Sequence, residues 1–174
     1  MVALADTLEI VCYPNPVLRQ PAQPLESIDR CVQQVARRMI DLMHEAAGVG
    51  LAAPQVGLNW QLFVANPSGK PGQDQVFINP VLRDFSRKTL PREEGCLSIP
   101  DVRGQITRPL TVTIVASNED GQNFELQADD LAARVWQHEK DHLDGILIID
   151  RMQPIDKMAN RRTLKDLERE YRQS

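Results

Sequence analysis

The chain has 174 residues, 42% of them hydrophobic and 25% charged, with a formal net charge of -4 and a pI near 5.4. That size suits one domain with a single core over residues 1–174, and the acidic balance argues against wholesale binding of DNA or other nucleic acid. No apolar run approaches the ~20 residues of a membrane span, and Met1 to Asp6 is too short and too acidic for a signal or transit peptide.

Ile28, Cys31, Val32, Val35, Met39, Leu42 and Met43 recur at helical spacing, which predicts a core helix capped by Ser27 and ended by Gly48. His44 near its end reads as a surface or capping histidine. Leu62 to Ala65 and Val76 to Ile78 read as strands divided by a Pro/Ser/Gly-rich loop from Pro67 to Gly72. Leu110 to Ser117 and Asn123 to Gln127 form a hairpin around Glu119-Asp120-Gly121. Asp129 and Asp130 suit the start of a second helix, in which Leu131, Val135, His138 and His142 step by four, three and four and line one buried stripe. Gly145 fits the left-handed position after its last turn, and Ile146 to Ile149 follows as an apolar strand-like or buried segment. A last helix, about Asp156 to Gln173, places Leu164, Leu167 and Tyr171 on one side. Strands grouped in the middle, with helices before and after them, indicate the α+β class.

The second helix carries His138-Glu139-Lys140-Asp141-His142, an H-E-x-x-H motif. Imidazoles four apart on a helix share one face about 5–6 Å apart at Cβ, close enough to bite one metal ion at roughly 2 Å each. Glu139 then points beside the metal, where a carboxylate can carry the proton that hydrolysis of an amide needs. A catalytic metal of this type also needs a third protein ligand. The short His-containing extension found in some metalloproteases is absent, because no histidine follows His142. Glu168 and Glu170 lie downstream in a helix of alternating charge and read as a solvated face. Cys96, upstream in Glu94-Gly95-Cys96-Leu97-Ser98-Ile99-Pro100, is the better candidate, although a lone cysteine in such a setting is more often a small buried hydrophobe.

Cys96 does not stand alone. With Gly48-Val49-Gly50-Leu51-Ala52-Ala53-Pro54-Gln55 and Gln137-His138-Glu139-Lys140-Asp141-His142-Leu143 it makes three blocks whose order closely resembles the peptide deformylase family. The opening Tyr13-Pro14-Asn15-Pro16-Val17-Leu18-Arg19 is also similar, so the resemblance runs from about Leu8 to Met152. It implies that family's fold, mixed β-sheets around a central metal-bearing helix, and removal of the formyl group from the N-formylmethionine of nascent proteins. It carries over Cys96, His138 and His142 as metal ligands and Glu139 as general base and acid. Gln55 matches the side-chain amide, and Leu97 the backbone N–H, that hold the formyl oxygen, while Gly50 matches a backbone group that aligns the substrate. Donors fixed on developing charge stabilise the transition state more than the ground state.

Val49, Leu131 and Val135 correspond to family positions around the methionine side chain, and Arg103 to one that contacts the substrate backbone beyond it. Arg92 and Arg134 stand where some deformylases carry apolar residues. Either their stems line the wall with the guanidinium in water, or the pocket is narrower. A thiolate ligand admits zinc or iron, and the resemblance favours Fe²⁺. The cations Arg161, Arg162, Lys165, Arg169 and Arg172 could touch ribosomal RNA, but the interspersed Asp166, Glu168 and Glu170 weaken that idea, and packing on the body is the favoured reading. Cys12, Cys31 and Cys96 are an odd count without a secretory leader, which indicates a reducing, cytoplasmic setting, with Cys12 and Cys31 in the core. An H-E-x-x-H zinc endopeptidase and a non-catalytic metal-stabilised binding module are the competing readings. A downstream carboxylate ligand would favour the first of these, and a filled fourth coordination position the second.

Overall fold

The computed structural model describes residues 4–173, so Met1 to Ala3 of the short leading stretch and Ser174 lie outside the described residues. Helix α1 (Arg30–Glu45) is amphipathic, with Val32, Val35, Ala36, Met39, Leu42 and Met43 buried. Its cap is Asp29, whose side chain accepts the Val32 N–H, two residues later than the expected Ser27. It ends at Glu45, and Ala47 rather than Gly48 adopts the left-handed conformation.

Strands β1 (Gly50–Ala52), β2 (Leu62–Ala65), β3 (Gln75–Arg83), β6 (Thr111–Ser117) and β7 (Asn123–Asp129) form one antiparallel sheet in the order β1-β2-β3-β6-β7. All four residues of β2 are buried because helices cover both faces of the sheet. Leu62 and Val64 join Val76 and Ile78 against α1, whereas Phe63, Ala65 and Phe77 face helix α2 (Asp130–Leu143), where Val135, Trp136 and Leu143 complete a second cluster. The sheet is thus the wall that fixes the histidine-bearing helix in depth, and the α+β class is borne out.

Strands β4 (Thr89–Cys96) and β5 (Ile99–Pro109) make a separate two-stranded ladder that the periodicity did not signal. Only Glu94 of β4 is buried, and Pro91 weakens the strand pattern further. β5 does alternate, but its inward positions Val102, Gly104, Ile106 and Arg108 mix apolar, absent and charged side chains.

After α2 the chain turns at Gly145, which takes the expected left-handed conformation (φ 72°) and lies so close to the Arg19 carbonyl that a Cβ would fall 2.6 Å from its oxygen. The next apolar stretch is buried but not a strand: Leu147 and Ile148 lead into the short helix α3 (Ile148–Arg151). The expected last helix is two, α4 (Pro154–Ala159) and α5 (Arg161–Tyr171), broken at Asn160, whose side chain donates to the Arg103 carbonyl at 2.7 Å. Leu164 and Leu167 pack on a third cluster of Ile99, Val102, Ile106, Leu147 and Met152. Tyr13 donates to Glu168 at 2.7 Å, so that glutamate is a packing contact of α5. Cys12 and Cys31 are exposed, correcting their placement in the core: Cys31 falls on the outer face of α1, beside the buried Val32.

Candidate metal centre

Helix α2 presents His138 and His142 four residues apart, as their spacing requires, and the turn between β4 and β5 brings Cys96 to the same point. The Cys96 Sγ lies 3.3 Å from His142 Nε2, which lies 3.3 Å from His138 Nε2, and the three ligand atoms fall within 4.8 Å of one another. Two nitrogens each ~2.1 Å from one ion at the tetrahedral angle stand ~3.4 Å apart, and a sulfur at ~2.3 Å stands ~3.6 Å from either. The donor set therefore fits a divalent transition metal in both spacing and chemistry. Cys96 joins the two histidines from upstream, whereas Glu168 is engaged with Tyr13.

Glu139 points between the histidines and the sheet. It is buried, and its Oε2 has no hydrogen-bond partner among the described residues. Gly50 of β1 lies against it so closely that a Cβ there would sit 2.8 Å from the Glu139 carboxyl carbon and overlap its oxygen. Burial pushes the Glu139 carboxyl up to about 7, a rise that the nearby His138 and Arg108 only partly offset. Burial alone would lower His138. Its hydrogen bonds to Cys96 and Glu94 outweigh that and raise it to about 10, while burial and the His138 charge drive His142 well below its ordinary value. The imidazoles are thus split in the metal-free chain, and a proton on His138 competes with a cation for the same nitrogen.

Gln55 lies on the 3₁₀ turn Ala53–Val56 that follows β1. Its carbonyl oxygen accepts the Ala52 N–H at 2.8 Å, which turns its NH₂ toward Cys96 Sγ (3.5 Å) and Ser98 Oγ (3.2 Å). Leu97, in the turn after Cys96, lies over Gly48. These groups border a cavity of about 360 Å³ that also reaches His138 and Glu139. Val135 is buried in its wall, while Val49 (41% exposed), Leu131 (43%) and Arg103 stand at its rim. A larger cavity of about 730 Å³, on the Lys140 and Asp144 side of α2, touches none of the three metal-ligand candidates.

The two arginines take different settings. Arg134 does not hold its guanidinium in water: it is buried and donates to Glu94 Oε1 (2.6 Å) and the Ile106 carbonyl (2.9 Å). Arg92 instead pairs with Asp130 at 2.7 Å on the surface. His44 pairs with Asp74 at 2.6 Å, away from the site.

Sequence reasoning missed the charged groups behind the candidate ligands. Glu94 accepts from His138 Nδ1 (3.0 Å), from Arg108 Nε (2.7 Å) and Nη2 (2.9 Å), and from Arg134. Asp141 accepts from Arg108 Nη1 (2.8 Å) and Arg151 Nε (2.6 Å). Burial would raise the Glu94 carboxyl, but the donors from His138 and Arg108 hold it well below the usual carboxylate range. With its Nδ1–H committed to Glu94, His138 has Nε2 as the nitrogen whose proton a cation would displace. One signal was present: Asp141 lies on the helix three residues beyond His138.

Comparison with known proteins agrees with this geometry. The family model described as polypeptide deformylase matches residues 7–158. The peptide deformylase of Acinetobacter baumannii is 40% identical over 163 residues, covering 94% of this chain and 93% of that protein. Peptide deformylase 1B, chloroplastic/mitochondrial, of Arabidopsis thaliana is 41% identical over 98% of this chain, which spans only 63% of that relative's length. Among solved structures, a plant peptide deformylase superposes with a TM-score of 0.93 at 39% identity, covering 99% of this chain and 95% of that one. A Plasmodium falciparum peptide deformylase superposes with a TM-score of 0.91 at 36% identity, covering 95% and 98%. A match this long, in sequence and in backbone alike, leaves one assignment: the chain belongs to the polypeptide deformylase family.

Proposed function

We propose that this chain hydrolyses the formyl group from N-formylmethionine at the start of nascent proteins, releasing formate and a free amino terminus, with Fe²⁺ as its metal. One observation carries the reading: Cys96, His138 and His142 converge beside a buried Glu139 whose Oε2 has no hydrogen-bond partner among the described residues. Cys96, His138 and His142 would hold the ion. Bound there, it supplies a Lewis acid that polarises the formyl carbonyl and lowers the pKa of water.

The remaining work falls to the chain itself. Glu139 takes a proton from the attacking water and returns it to the leaving amine, a task suited to a carboxyl raised toward neutrality by burial. The Gln55 NH₂ and the Leu97 N–H meet the negative charge that develops on the formyl oxygen, and the loss of one such donor costs about 2.7–4 kcal/mol in activation free energy. The Gly50 backbone, lying against Glu139, aligns the formyl-bearing peptide. Val49, Leu131 and Val135 receive the unbranched methionine side chain, and Arg103 at the rim holds the peptide backbone beyond it. A soft thiolate ligand suits iron or zinc, and the family resemblance favours iron.

The working compartment we assign is the cytoplasm; no helix among the described residues is long and apolar enough to cross a membrane. Ribosome association through α5 is a further part of the proposal, carried by Arg161, Arg162, Lys165, Arg169 and Arg172. The packing of the half-buried Leu164 and Leu167 against the body argues for the competing packing role. Ribosome cosedimentation that vanishes on truncation after Asp156 supports association, and cosedimentation unchanged by the truncation refutes it.

The deciding assay offers the metal-loaded protein formyl-Met-Ala-Ser and its unformylated twin. Formate released from the first, with neither backbone cut, is the expected result. Backbone cleavage, or no formate, overturns the proposal.

A further inference from the structure

We infer that Arg134 offers a hydrogen bond to the tip of the substrate's first side chain, so that peptides beginning with N-formylmethionine sulfoxide are a second substrate of this site. The inference rests on the deformylase reading and widens its substrate class.

Arg134 borders the same cavity as Leu131 and Val135. Its guanidinium is fixed by three protein acceptors: Nη1 donates to Glu94 Oε1 (2.6 Å) and the Ile106 carbonyl (2.9 Å), and Nη2 donates to the Leu90 carbonyl. These bonds use both Nη1 hydrogens and one on Nη2. The Nε–H and the second Nη2 hydrogen have no acceptor among the described residues, and Nε is not one of the fully sealed polar atoms that lack a partner. The unpartnered Nε is therefore not sealed off, and the cavity that Arg134 borders is where we place its free N–H.

A wall built only of Val49, Leu131 and Val135 would strip water from a polar side-chain tip and return nothing. A preorganised donor changes that balance for one class of side chain. The methionine thioether is a weak acceptor and gains little. Its sulfoxide keeps the same unbranched length and ends in a polar oxygen that the free N–H can meet. The chemistry at the formyl group is unchanged: its C–N bond breaks, water gives its hydroxyl to formate and its hydrogen to the amine, and the sulfoxide leaves intact without any oxidant.

The test compares kcat/KM for formyl-Met-Ala-Ser, its sulfoxide and its norleucine analogue on the metal-loaded protein. The sulfoxide should fall within about threefold of methionine, whereas an all-apolar pocket would reject it by about tenfold or more. In Arg134→Met the sulfoxide-to-norleucine ratio should drop about tenfold, carried by KM. Because Arg134 also holds Glu94, Arg134→Lys is the second variant: it keeps a cation beside Glu94 but loses the planar fork, and the ratio should drop there as well. Calorimetric titration of the deformylated peptides, Met-Ala-Ser and its sulfoxide, should give the same order without turnover. Formate from the methionine and norleucine peptides, with a tenfold or larger loss on the sulfoxide or a ratio unmoved in both variants, overturns this inference alone. No formate from any peptide overturns the deformylase reading and the inference with it.

Discussion

Glu94→Gln tests whether the buried charges behind the site set the chemistry of the ligand in front of them. The carboxylate accepts four hydrogen bonds, from Arg108 Nε and Nη2, Arg134 Nη1 and His138 Nδ1. An amide of the same shape accepts on one side only. With its oxygen toward Arg134, its NH₂ meets the Arg108 Nη2–H and the His138 Nδ1–H, donor against donor. His138 can relieve that clash by moving its proton to Nε2, the atom that would bind the metal. Loss of such an outer partner typically lowers metal affinity 10–100-fold. Stability falls too, because breaking a buried ion pair from one side costs about 3–5 kcal/mol. Arg108 keeps Asp141 and Arg134 keeps two carbonyls, so the lower end applies, ~3 kcal/mol or roughly 6–12 °C in Tm for a chain of this size. The sign with pH follows from the depressed Glu94 value: its contribution is present above the unfolded value near 4.5 and is lost as pH falls through the lower folded value, so the full amount is at stake at neutral pH. Chelator competition reads the affinity, and thermal unfolding of the metal-free chain reads the stability. Metal affinity within twofold of the parent would refute the reasoning.

Glu139→Gln should keep its metal and lose at least ~10²-fold in rate, and retained turnover would remove Glu139 as the proton carrier. The same variant should alter metal-free stability with a definite sign: a carboxyl raised from 4.5 to about 7 binds its proton more tightly when folded, so stability declines as pH rises through that window. Gln abolishes the decline, a gain of ~3 kcal/mol at pH 8 relative to pH 4 in urea unfolding, and parallel pH profiles for the two proteins would contradict it. Val135→Trp should raise KM for formyl-Met peptides and shift preference toward smaller side chains, whereas an unchanged preference would mean that the side chain enters elsewhere. Protein prepared without oxygen should contain iron and lose activity in air in step with metal loss or Cys96 oxidation. A zinc form of equal activity, with an air-stable iron form, would withdraw the iron assignment and leave the family untouched.

Elements whose burial is apolar and periodic were legible in the sequence. α1 announces itself by its stripe, β2 matches residue for residue, and Gly145 ends α2 where its lack of a side chain is required, whereas α2 departs from its expected stripe: it is buried nearly all round from Ala133 to Leu143, and Leu131 is exposed. The histidine pair was readable because one helix carries both ligands at a fixed spacing. Cys96 was not readable from spacing, since it lies 42 positions before His138 and only the fold closes that gap; the family resemblance supplied it. β4 and β5 failed for a related reason. Their inward positions hold Glu94, Gly104 and Arg108, so a pattern that counts apolar residues sees no strand where the buried side chains are ionic. Of the two settings open to Arg134, the solvated one fails likewise: a long cation beside an apolar pocket ordinarily turns to water, and its buried acceptors lie on β4 and β5, the strands that were missed.

Apolar replacements packed to the same volume would match or exceed the stability of Glu94, Arg108 and Asp141, so their presence needs a reason other than stability. The geometry supplies one. A metal-binding histidine must hold its proton on the far nitrogen, and an aliphatic neighbour cannot enforce that choice, whereas the Glu94 carboxylate at Nδ1 does. A lone buried carboxylate would itself drift toward protonation, and Arg108 and Arg134 prevent this by supplying three further donors. Arg108 in turn is completed by Asp141 on the helix that carries the histidines, and Asp141 by Arg151 on α3. The clamp therefore runs from the metal-binding face of α2 to the surface, where the Arg151 side chain is 42% exposed and screened by solvent. Each member outward from His138 should matter less to metal affinity than the one before it, and Arg151→Ala should cost far less affinity than Glu94→Gln. An equal loss from both would mean that the clamp acts by holding the fold together, not by fixing the proton on His138.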